Sequence, residues 1–179
     1  MSLAVLGLVA GWSAAEAAIF FLVADIPISW IAVRSGTRAA LLAAAVAALA
    51  SVAGTLALWA WVAHDPGGAG ATLAGLPGID DRLVASAAAR YHDGIGAVLA
   101  GSFAGTPFKL FALEAAKTPG VGFLLLSPLL RLPRFALIAL LVGGVSHGLG
   151  RWLGMRQRLM LLIAAWVAFY AFYFTMMPR

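Results

Sequence analysis

Cysteine is absent from this chain. Disulfides and thiolate metal sites are therefore excluded. Charge is scarce too: Asp, Glu, Lys and Arg make up 11% of the 179 residues, where a soluble domain carries about 25%. No polar stretch is long enough to build a soluble domain. No Lys or Arg precedes Arg34, so the first residues lack the basic region of a signal peptide and are expected to be retained as structure. The net charge of +5 is dispersed along the chain. Without a clustered basic face, nucleic acid is excluded as a partner. No Ser/His/Asp set or group of metal ligands is visible, and His64 and His92 are isolated. The "GGAG" and "GVG" stretches lack the strand and lysine of a nucleotide loop. The sequence thus gives no support for enzyme chemistry and implies no cofactor or metal.

What remains is hydrophobic: 63% of the chain, with a mean hydropathy of +0.99. This composition is that of an integral membrane protein, expected to be all-α and to form a single membrane domain over 1–179. Residues 39–63 are 25 in a row without a charge, enough to span. Trp59 and Trp61 fall at the end of that run, where an aromatic belt belongs. Residues 159–177 form a second clean span. A third, 135–145, reaches spanning length only by extending back through Arg134 and Arg131 to about Val121. Residues 1–33 are apolar but interrupted by Glu16, Asp25 and Pro27. Residues 64–82 read as a Gly/Pro-rich polar loop, and 83–94 as a short amphipathic helix at the interface or against the bundle.

An internal repeat organises these pieces. "PISWIAVRSGTRA" (27–39) aligns with "PFKLFALEAAKTP" (107–119) at an offset of 80 residues. Each copy starts with a proline and precedes a full span, as in the repeats of secondary transporters. The expected architecture is two inverted repeats, about 10–63 and about 83–150, joined by an extracytoplasmic loop, 64–82. Each repeat is a re-entrant helical hairpin (14–33 and 102–118) followed by a spanning helix. A C-terminal transmembrane helix, 159–177, completes the chain. Arg34 and Arg38, like Arg151, Arg156 and Arg158, are expected on the cytoplasmic side.

Charges within such segments cost about 2.5–3.5 kcal/mol each on insertion scales, and they are generally functional or paired. Arg131 and Arg134 share a helical face. Three readings stand for them: a bidentate grip on a lipid phosphate, snorkelling to headgroups, or ion pairs with Glu16 or Asp25. Lys109 either adds a point charge to a phosphate site or pairs with Glu114. Glu16 and Asp25 read either as proton sites in a low-dielectric cavity or as fixed partners of the arginines. His147 reads either as part of a proton relay or, the favoured reading, as a wet interfacial histidine.

These residues resemble a known family. Pro107-Phe108-Lys109-Leu110-Phe111 and Arg131-Leu132-Pro133-Arg134-Phe135 are similar to the second half of the DedA superfamily, also called the VTT or SNARE-associated family, in its small bacterial branch. Glu16 and the Asp25-Ile26-Pro27-Ile28-Ser29 tip resemble its first half. Trp30 stands where the family has a second acid, and Leu130 where it has a glycine. The resemblance covers roughly 13–150. It implies two inverted repeats with re-entrant hairpins, and residence in the bacterial cytoplasmic membrane. It also implies flipping or scrambling of a phospholipid or a polyprenyl phosphate, with proton coupling proposed through the membrane acids. The expected partners are a lipid with an anionic headgroup and protons, and an oligomer is compatible with the sequence. A different class also fits: a non-transporting assembly or envelope-maintenance protein, in which the embedded charges act as structural ion pairs.

Overall fold

The computed structural model describes residues 1–176, and these contain helices and no strand. Met177, the expected end of the last span, lies outside the described residues. Helix α1 (Leu3–Ala18) gives way to an irregular segment, 19–24, and then to α2 (Asp25–Ser35). Pro27 lies in the first turn of α2, where its missing N–H has no helical partner to lose. Gly36, at φ 86°, separates α2 from α3 (Thr37–His64). A residue with a Cβ would be strained there, so this glycine lets the chain reverse almost without a loop.

Residues 64–82 are more ordered than the loop expected from their composition. They contain α4 (Pro66–Ala74), because Asp65 caps the amide of Gly68 at 2.9 Å and Pro66 supplies a preset first helical residue. Asp80 caps α5 (Asp81–His92) through the amide of Leu83, at 2.7 Å. Next come α6 (Ile95–Phe103), α7 (Phe108–Lys117), α8 (Val121–Leu149) and α9 (Met155–Met176). The order of short helix, break, short helix and long helix therefore occurs twice, as α1–α2–α3 and as α6–α7–α8.

Helices α3, α8 and α9 are long and apolar enough to cross a membrane, and the chain is a membrane protein. Helix α1 is apolar but has only 16 residues, about 24 Å of helix against about 30 Å of hydrocarbon. Helix α8 is continuous although Pro128 and Pro133 lie inside it. The Leu124 carbonyl, which Pro128 leaves without an amide donor, accepts the Ser127 hydroxyl instead at 2.9 Å.

Small residues let the helices approach closely. Ala40, Ala43, Ala44, Ala47, Ser51, Gly54 and Thr55 form a buried stripe on α3. A Cβ at Gly54 would collide with the Ala14 carbonyl of α1, and one at Gly143 of α8 would collide with Thr37 of α3. This is the small-residue packing that replaces the hydrophobic drive inside a bilayer. The Gly143–Thr37 approach puts the start of α3 beside the end of α8, so Arg34 and Arg38 lie at the same end as Arg151, Arg156 and Arg158. Trp59 is not simply an interfacial residue: its indole N–H donates to the Ala112 carbonyl at 2.9 Å and its ring stacks on Phe123.

Candidate functional site

The irregular segments 19–24 and 104–107 converge on the middle of α8. Arg131 lies ten residues into that helix, about 15 Å from its start. Its guanidinium pairs with Glu16 near the end of α1, and its Nη2 donates to Glu16 Oε2. Phe108 and Phe135 flank the guanidinium, with ring centroids 4.8 and 4.7 Å from Cζ. The side chain is 4% exposed, and the aromatic faces supply cation–π attraction where water is excluded. Nη1 of Arg131 is buried and has no hydrogen-bond partner among the described residues.

Arg134, one turn further on, pairs with a different acid. Its Nε and Nη2 both donate to Asp25 Oδ2, at 3.0 and 2.5 Å, and Nη1 donates to the Ser102 carbonyl at 3.1 Å. Asp25 is 2% exposed, but the Arg134 side chain is 28% exposed. The second carboxylate oxygen of Asp25 is buried without a partner. The Ser102 carbonyl belongs to the last turn of α6, and two further backbone groups come from the 19–24 break. Lys109 Nζ donates to the Phe20 carbonyl at 2.9 Å, and the Val23 amide donates to the Tyr170 hydroxyl at 3.1 Å.

Three cavities surround the cluster. One of about 20 Å³ lies between Glu16, Ser102, Thr106, Arg131 and Arg134, room for a single water molecule. A second, of about 90 Å³, is bordered by Glu16, Lys109, Arg134, Tyr170 and Tyr173. The third is an open apolar groove of about 660 Å³ between α8 and α9, lined by Leu137, Ile138, Leu162, Trp166 and Phe169, with Asp25 and Arg134 on its wall.

The structure thus brings Arg131, Arg134, Glu16, Asp25 and Lys109 into one region. Glu114 is elsewhere: it binds Lys117 at 2.5 Å and His92 at 3.1 Å, and no Lys109–Glu114 pair forms. The helix explains why, since residues five apart do not face each other. Burial works against the Glu114 charge, but the hydrogen bonds and charges of Lys117 and His92 outweigh it and hold this carboxyl below the usual range. No group of His, Asp or Glu suited to a metal ion occurs among the described residues.

Sequence reasoning missed the part played by α9. Tyr170 reaches the 19–24 segment, the Trp166 N–H donates to Ser29 at 2.9 Å, and the Tyr173 hydroxyl donates to the Gly78 carbonyl at 2.8 Å. The available signal was polar-tipped aromatics within a span rather than only at its ends. Comparison with family models, with curated proteins and with solved structures gives no match.

Proposed function

We propose that this protein translocates a membrane lipid bearing a phosphate, as a flippase or scramblase of the DedA type, and that Arg134 receives the headgroup. The observation that carries this reading is the position of Arg134. It is a cation at mid-helix depth, held by one acid, with its side chain bordering both the inner cavities and an apolar groove wide enough for a hydrocarbon chain. A lipid approaching along that groove brings a phosphate to a guanidinium whose resting partner is a carboxylate. Exchange of Asp25 for the phosphate keeps Arg134 paired throughout, and Lys109 adds a second cation nearby.

The finer architecture belongs to the same proposal. Segments 14–33 and 102–118 are taken as re-entrant hairpins of two inverted repeats, supported by the element order that occurs twice. Loop 64–82 is taken as extracytoplasmic, and 151–158 as cytoplasmic, in a bacterial inner membrane. Glu16 and Asp25 are the acids through which protons would couple.

One observation favours the other class. Both arginines are paired at rest, as structural glue would be. Purified protein in liposomes containing fluorescent phosphatidylglycerol or a polyprenyl phosphate separates the two. A translocase moves labelled lipid between leaflets faster than protein-free liposomes do, and Arg134→Gln abolishes the gain. Wild-type protein no faster than empty liposomes, for either lipid, would favour the structural role.

A further inference from the structure

A second polar station lies at the other end of the α8–α9 groove. A cavity of about 450 Å³ is bordered by Ser35, Gly36, Thr37, Ser146, His147 and Arg158. Its lining follows that of the apolar groove in sequence on both helices. On α8 the groove lining ends at Val142 and the polar lining begins at Gly143; on α9 the step is from Leu162 to Arg158. Ser146 and Arg134 are 12 residues apart on α8, about 18 Å along the axis.

The station is incompletely satisfied. Arg158 Nη1 donates to the Ser146 carbonyl and hydroxyl, both at 3.0 Å. Its Nε is buried without a partner, and no carboxylate bridges to Arg158 among the described residues. His147 is exposed beside it. Helix α3 begins at the same cavity with no side-chain cap, so its first amides add to a positive field. Capping of the α8 C-terminus explains Nη1 but leaves Nε unused. No acid balances Arg158 where it borders the cavity beside Ser146 and His147, and an anion in the cavity supplies that balance.

We propose that the groove between α8 and α9 seats an anionic lipid, its phosphate held by Arg158, Ser146 and His147 and one hydrocarbon chain lying along Leu137, Ile138, Leu162 and Trp166. This rests on reading the groove as a lipid seat. It makes Arg158 the first of two stations, with Arg134 the second, so that a headgroup moves from one cation to the next while the chain stays in the groove.

The absence of native cysteine provides a direct test. Ala165→Cys, exposed on α9 and lining the groove, is labelled with bimane, and the protein is placed in bilayers doped with lipids brominated on the chain. Brominated phosphatidic acid should quench more strongly than brominated phosphatidylcholine at equal mole fraction. That preference should fall about tenfold in Arg158→Gln, as loss of a charge-assisted pair predicts. His147→Gln, which leaves the α8 cap intact, should lower it less. Equal quenching by the two lipids would overturn the proposal. So would a preference unchanged in Arg158→Gln, or one lost only in Arg134→Gln. Excess inorganic phosphate should leave the quenching unaltered; displacement would mark a soluble-phosphate site instead and refute the lipid seat. An Arg158-dependent preference in a protein that moves no lipid would keep this site and sink the translocation reading. Translocation without any preference would do the reverse.

Discussion

Arg131 and Arg134 are one helical turn apart on the same helix, and each is bound to one acid from the first third of the chain. Their surroundings differ. Arg131 is buried between two phenylalanine rings and against Glu16, with its side chain 4% exposed; Arg134 is 28% exposed and borders an open apolar groove. A cation enclosed in this way holds elements together. A charge on a groove wall can exchange partners. In the proposed reading the two pairs therefore take two tasks that the spacing of the arginines alone assigns jointly: the first holds α1 to α8, and the second receives the headgroup.

Breaking the lock should give the largest effect. Arg131→Met leaves Glu16 buried without its cation, which costs about 3–5 kcal/mol of stability. The double variant Glu16→Gln with Arg131→Met should recover more than half of that loss, because no lone charge remains. Denaturant unfolding in detergent measures both. Equal stability of the single variant and the wild type would show that the sealed pair is not a lock.

A milder route to the same pair runs through backbone packing. Gly54→Val forces α1 away from α3, since the added Cβ meets the Ala14 carbonyl. Overpacking of this kind costs about 1–3 kcal/mol. Glu16 moves with α1, whereas Asp25 on α2 does not. Lipid binding at Arg134 should therefore survive in the folded fraction of Gly54→Val, and its loss there would join the two pairs again.

The length of the helices was legible in the sequence because hydrophobic runs must match the bilayer. Residues 39–63 and 159–177 read as spans, and α3 and α9 are Thr37–His64 and Met155–Met176. The extension of 135–145 back to Val121 through two arginines was legible for the same reason, and α8 starts there. Pairing was not. Glu16 and Asp25 were open partners for either arginine, since the choice depends on where the 19–24 break sets α2, and no local pattern encodes that. The α4 helix was hidden by its glycines, although the Asp65-Pro66 start was present. Lys109 and Glu114 share a helix but not a face, so proximity in sequence misled. The groove was invisible because it is made by what α9 leaves uncovered; the apolar window of that helix buries nothing inside the chain.

The site pair itself should respond less in stability than the lock. Arg134→Gln leaves Asp25 buried without its cation but keeps a hydrogen-bond donor for it, so the loss should be about 1.5–3 kcal/mol, the range for a hydrogen bond to a charged group. A loss as large as that of Arg131→Met would mean that both pairs are structural.

The smallest effect belongs to the peripheral pair. Lys117 and His92 are largely exposed beside Glu114, so Glu114→Gln should cost less than about 1 kcal/mol. The sign with pH is fixed: the folded state holds this carboxyl below its ordinary value, so its contribution is present at neutral pH and fades as pH falls through the folded pKa. Wild type should lose stability over that acid range and Glu114→Gln should lose less. Parallel pH curves would remove the pair from the account.

The division of labour is tested most directly by lipid translocation in liposomes for Arg131→Lys and Arg134→Lys, each normalised to folded protein. Lysine keeps the charge and loses the planar fork that grips a phosphate. The account predicts near wild-type translocation per folded molecule for Arg131→Lys and a strong loss for Arg134→Lys. Wild-type rates in both, or the loss falling on Arg131→Lys alone, would contradict it.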